Sequence, residues 1–291
     1  MPAYKNPMRH SYFSVRLTME RVLDDQVLKR SIGTGFLWDT GDQLWLITNV
    51  HNLTGWNFER NCPVNEEDQW IPNRVILHAK WMHHNEDRSG FHILNGPVAS
   101  ALLGPTGDPL WRIHPLFRNR VDVAALPIGK TLPMRIDEGS GIEPSRLEFA
   151  NRPVNTFSEW FDIEAGAGDE VYVLGYPKGM DGGSDFPIWK RGSIASEPLL
   201  DRDGLPQLLI DTATRQGMSG SPVLVFSRGW TVPAKSSNQS GVFGTTAAFL
   251  GVYSGRIGED ELGVQLGIVW KAQVVDEIVC GATQGTQGGF D

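Results

Sequence analysis

The chain has 291 residues, with 34 acidic and 26 basic side chains and a formal charge of -8. Its 40% hydrophobic and 21% charged residues give the balance of a globular protein with a sizeable core, which excludes a disordered tail. The acidic excess argues against a nucleic-acid partner, because a surface that follows phosphates needs clustered Lys and Arg.

Residues 1–30 mix Lys5, Arg9, Arg16, Glu20, Asp24 and Asp25 among scattered apolar positions and contain no apolar leader core. No stretch approaches the roughly 18 apolar residues of a membrane span. The expectation is a cytoplasmic protein with no membrane partner. Cys62, in a polar loop, and Cys280, near the C-terminus, read as free thiols in a reducing compartment, with a bridge between them as the alternative.

Short apolar runs bounded by Gly, Pro, Asn and Asp recur along the chain and few segments keep a helical period, which points to an all-β protein. Strands are expected at Phe13–Leu17, Gly35–Trp38, Leu44–Thr48, Arg74–Ala79, Val121–Leu126, Glu170–Leu174, Leu208–Asp211, Pro222–Phe226, Ala247–Tyr253 and Val264–Val269. Turn residues separate several of them, at Asp24-Asp25, at Thr40-Gly41-Asp42 and from Asp201 to Pro206. Gly55–Asn119 reads as insertions around a few strands. Gly129–Pro153, rich in Pro and Gly, reads as a connection, dividing the chain into 1–130, a linker at 131–153, and 154–280. Ala234–Thr245 reads as a surface loop and 281–291 as a disordered tail. Only Lys271–Cys280 spaces Val274, Val275, Ile278 and Val279 along one helical face, so one short C-terminal helix is expected.

Three segments carry chemistry. Gly217-Met218-Ser219-Gly220-Ser221-Pro222 allows a serine on a tight turn, since both glycines permit backbone that a Cβ resists. The N–H groups of Gly217 and Ser219 would then form an oxyanion hole, each donor contributing about 3 to 4 kcal/mol to a tetrahedral intermediate. The apolar strand Leu44–Thr48 runs into Asn49-Val50-His51, which puts an imidazole at a strand end, where it can serve as general base near neutral pH. Asp122 opens the apolar run Val121–Leu126, where burying a lone carboxylate is costly unless it accepts a hydrogen bond from the histidine. Asp108 and Asp137 are the alternatives for the acid.

The order His51, Asp122, Ser219 differs from that of α/β-hydrolases, which run Ser, acid, His and use Gly-x-Ser-x-Gly; here Ser221 stands two after Ser219. Thr48-Asn49-Val50-His51, Asp122-Val123-Ala124-Ala125-Leu126 and Gly217-Met218-Ser219-Gly220-Ser221-Pro222 resemble the catalytic blocks of the trypsin-like (chymotrypsin-fold) serine peptidases, especially their HtrA-type and glutamyl-endopeptidase branches. Supporting blocks at Gly33–Phe36, Gly168–Pro177 and Gly251–Gly255 extend the resemblance over residues 30–270.

The resemblance implies two antiparallel six-stranded β-barrels, with His51 and Asp122 on the first, Ser219 on the second and a protein or peptide substrate between them. It also implies an acyl-enzyme intermediate and calls for no cofactor and no metal. It places Ala213, six before the nucleophile, at the floor of the primary pocket, with Thr214, Tyr253, Ser254, Gly255 and Arg256 around it. With no Asp at the floor, a strong preference for Lys or Arg is not expected. Small or medium apolar side chains are the expected preference, and an acidic one read by Arg256 or Arg215 is the alternative. Met218 stands where animal trypsins have the Asp that pairs with a freed N-terminus, so that activating ion pair is missing, and no PDZ-like segment follows Val269.

Activity inside a cell needs control, so a regulated processing protease is expected, with an activating partner protein as one means of control. A catalytically silent or partner-activated scaffold of the same fold is the alternative. His78, His83, His84 and His92 crowd one segment without a recognisable metal spacing and read as a solvated loop. Trp70, Trp81 and Trp111 read as packing residues.

Overall fold

In the computed structural model, which describes residues 7–58, 61–64, 69–129, 142–231, 241–257 and 265–287, a 3₁₀ turn at Arg9–Tyr12 leads into the first sheet. Alternation in β1 (Ser14–Leu23) buries Val15, Leu17 and Met19, and the positive φ of both Asp24 and Asp25 makes the tight turn into β2 (Gln26–Asp39). The wholly buried β3 (Leu44–Thr48) runs into α1 (Val50–Thr54), which Gly55 ends with φ 70. A two-stranded ladder of β4 (Trp56–Asn57) and β5 (Cys62–Pro63) follows, then the long hairpin of β6 (Arg74–His84) and β7 (Phe91–Ala101). Next come β8 (Arg112–Ile113), β9 (Ala124–Ile128) and β10 (Leu147–Phe149). Apart from β4 and β5, these strands form one sheet in the order β10-β6-β1-β2-β3-β9-β8, with β7 also on β6.

The second half contains β11 (Glu170–Gly175), β12 (Ile188–Ile194), β13 (Gln207–Asp211), β14 (Pro222–Thr231), β15 (Val242–Arg256) and β16 (Leu266–Lys271), closed into a barrel in the order β11-β12-β13-β16-β15-β14. The terminal helix α2 (Gln273–Cys280) buries Val274, Val275, Ile278 and Val279, as its spacing requires.

The architecture is all-β with one short terminal helix, consistent with a chymotrypsin-like fold, but among the described residues only the second half closes into a six-stranded barrel. The first half is an eight-stranded sheet, and at its end the two residues of β8 offer too little ladder to close a ring. Val121–Leu126 is not one strand either. A tight turn closed by Val123 N–H to Val121 O comes first, and β9 starts at Ala124. Part of the expected loop at 234–245 lies outside the described residues, but Val242 onward belongs to β15 because it pairs with Thr231 and its predecessors. Of the expected linker and tail, 130–141 and 288–291 also lie outside them. Residues 281–287 are held rather than frayed: Gly285 N–H bonds Trp111 O and Gln284 bridges to Arg112.

One core spans both halves. Phe13, Phe36, Trp38 and Ile47 pack with Leu174, Phe226, Val252, Trp270 and the apolar face of α2. Trp81 and Trp111 are buried, as packing residues should be, and Trp70 is half-buried. Among the described residues no helix is long and apolar enough to cross a membrane.

A buried cation also sits at this seam. Lys80 is fully buried, with Nζ donating to Tyr176 Oη at 3.0 Å and to Ser14 O at 3.2 Å, while Tyr176 Oη donates to Asp185 O at 2.8 Å. Burial pushes the Lys80 ammonium down to about 8, against an opposing pull from Asp185. A base whose folded pKa is depressed weakens the fold below that value, and the penalty fades as pH rises toward the unfolded value. Wild type should therefore gain stability relative to Lys80→Met between about pH 8 and 10.5, by on the order of 3 kcal/mol. Denaturant midpoints of both proteins across that range measure it, and a constant gap would contradict it.

Candidate active site

The local sequence after β3 brings the histidine to its acid. Asn49 is fully buried between strand and helix, and its Nδ2 donates to Asp122 O at 2.5 Å, fixing the turn that carries the aspartate. Asp122 then accepts three hydrogen bonds: from His51 N at 3.0 Å, from His51 Nδ1 at 2.6 Å and from Ser254 Oγ at 2.5 Å. A carboxylate only accepts, so Nδ1 carries the proton and Nε2 is left as the basic atom.

Ser219 sits on the turn that the glycines permit. Gly217 and Gly220 have φ 93 and 86, and a Cβ on Gly220 would lie 2.1 Å from Thr34 O. Gly220→Ala should thus lower the melting temperature markedly, combining that clash with about 1 to 2 kcal/mol of left-handed strain; an unchanged melting curve would contradict the reading. The turn is clamped from the first half, where Thr34 N donates to Ser219 O at 2.9 Å and Thr34 Oγ1 to Gly217 O at 2.8 Å. Asn52 Nδ2 adds a bond to Ser219 O at 3.1 Å. Neither Gly217 N–H nor Ser219 N–H donates to an acceptor among the described residues. The Ser219 hydroxyl itself donates to Ser254 O at 3.1 Å and makes no hydrogen bond to His51.

His51, Asp122 and Ser219 line one cleft of about 1110 Å³ between the halves, and His51 and Ser219 also border a smaller hollow of about 210 Å³ beside Ile32, Trp70 and Gly217. A chain laid across the two would pass the serine with room on both sides.

The expected pocket residues are only partly brought together. Thr214, Tyr253, Ser254, Gly255 and Arg256 line the cleft. Ala213 does not, because the tight turn closed by Thr214 N–H to Thr212 O leaves it at the apex. Ser254 does more than line a wall, since it holds both Asp122 and Ser219. Thr214 and Tyr253 are buried with their hydroxyls bonded to each other, and burial pushes the Tyr253 phenol up to about 12, so it stays neutral. Sequence reasoning missed Thr34, Asn49 and Asn52; a polar residue inside an apolar strand-to-histidine run was the available signal for Asn49.

The crowded histidines lie on β6 and β7 rather than in a loop. His83 faces His92 across the hairpin, His84 meets Glu148 at 3.0 Å, and His78 meets Thr18 at 2.9 Å. Among the described residues no three His, Cys, Asp or Glu side chains are grouped to hold a metal. Cys62 and Cys280 are both free.

The fold and this constellation define the class of trypsin-like peptidase domains. The chain belongs to that family, whose pattern it matches over residues 33–232. Similar solved structures include the Rv3671c protease from M. tuberculosis in its active form, 17% identical, with 96% of this chain and 84% of that one covered and a TM-score of 0.44. They also include the inactive form of the same protease, 18% identical, covering 93% and 88%, with a TM-score of 0.43. No curated protein matches the chain.

Proposed function

We propose that this chain is a serine endopeptidase in which Ser219 attacks the scissile carbonyl, His51 Nε2 takes its proton, and Asp122 holds the imidazole. The observation that carries this reading is the 2.6 Å contact between His51 Nδ1 and Asp122 Oδ2, made at the edge of the cleft that Ser219 lines. The unengaged N–H groups of Gly217 and Ser219 would receive the oxyanion. Collapse of the tetrahedral intermediate gives an acyl-enzyme and a free amine, which takes its proton from the imidazolium. Water then attacks the ester by the same route, returning the serine proton. A fluorophosphonate probe tests it: wild type should be labelled on Ser219 and Ser219→Ala should not.

A second reading, a silent or partner-activated scaffold, draws on the Ser219 hydroxyl, which donates to Ser254 O instead of His51. Under that reading a partner protein would rotate the serine toward the imidazole, and labelling would appear only in its presence. Regulated processing of a protein substrate is compatible with the peptidase reading and with the partner-activated one, but not with a silent scaffold.

A further inference from the structure

We infer that the cleft takes an acidic peptide segment, whose carboxylates are read by arginines on the rim of the cleft and not by its floor. The inference rests on the peptidase reading above. The chain is acidic, with 34 acidic against 26 basic side chains, so unpaired cations on it are surrounded by ready partners. Yet among the described residues the cleft that holds Ser219 is bordered by Arg120, Arg202, Arg215 and Arg256, against Asp122 and Asp203. Both carboxylates are already engaged, Asp122 by His51 and Asp203 by Arg202 at 3.1 Å.

That leaves Arg120, Arg215 and Arg256, all exposed, with no carboxylate partner among the described residues. Arg215 Nη1 donates only to Thr214 O, at 3.0 Å. Arg256 is two residues beyond Ser254, the residue that contacts both Asp122 and Ser219, so its backbone lies beside the reacting atoms. Guanidinium groups match carboxylates in bidentate geometry and raise the encounter rate of an oppositely charged chain.

The floor cannot do this work. The Thr214 and Tyr253 hydroxyls satisfy each other, and a Cβ on Gly267 would lie 2.5 Å from Tyr253 Cε2, so the tyrosine ring already fills the space between the barrel strands. The residue before the cleaved bond is therefore small and uncharged, and the acidic residues precede it.

Peptidyl diphenyl phosphonates with alanine at the reacting position test this, one set preceded by three Glu and a matched set by three Lys, run beside the fluorophosphonate probe. The Glu set should inactivate wild type at least about tenfold faster, a margin that one or two charge pairs supply. The margin should shrink in about 0.5 M salt as screening sets in, and Arg215→Glu with Arg256→Glu should reverse it. Labelling by the small probe with equal rates, faster Lys reagents or no reaction with either set would overturn the acidic preference and leave the peptidase reading standing. Absence of labelling by the small probe would remove both.

Discussion

Ser219→Ala is expected to lower peptide hydrolysis about a million-fold, the scale of losing a nucleophile that acts as one unit with its base. The size follows from the site as built. The attacking hydroxyl is gone, while the turn that presents it is held by Thr34 and Asn52 through the main-chain oxygens of Gly217 and Ser219, which the substitution leaves in place. Folding should thus be unchanged in melting temperature and circular dichroism. His51→Ala should lose as much. Residual turnover near wild type in a correctly folded Ser219→Ala protein would mean that another residue is the nucleophile.

Asp122→Asn is expected to lower turnover by about four orders of magnitude with the fold retained. The amide can keep an oxygen toward the His51 N–H, and its NH₂ then faces His51 Nδ1, which must give up its proton to accept. The remaining proton moves to Nε2, the atom that has to receive one from Ser219. Ser254 Oγ, which now donates to Asp122, also loses its acceptor. A pre-steady-state measurement of serine acylation shows the defect directly. An acylation rate within tenfold of wild type would rule out Asp122 as the residue that holds the imidazole.

The site was more legible in the sequence than the scaffold. Gly217–Pro222 and Asn49–His51 are contiguous, so local constraints on a turn and a strand end are written in adjacent residues. What was not legible is set by partners remote in sequence. Thr34 supports Ser219 across 185 positions of chain, and nothing near Thr34 signals that its hydroxyl will meet Gly217 O. β7 was missed because Asn95-Gly96-Pro97 interrupts it and most of it is exposed, which removes the alternation that marks a strand. The open first sheet was missed for a similar reason: closure depends on the length of β8, and two residues leave no pattern to read. The role of Ala213 came from a position count, which a turn between Thr212 and Thr214 displaces.

The clamp of Thr34 on the nucleophile turn also bears on how the molecule is made. Its two bonds join a strand formed early in synthesis to a turn that leaves the ribosome some 180 residues later, so the turn gains its support only after the halves have docked. A nascent or partly unfolded copy lacks both the clamp and the shared core. The topology thereby makes the support of this turn one of the last things the chain can build, since it waits on both halves.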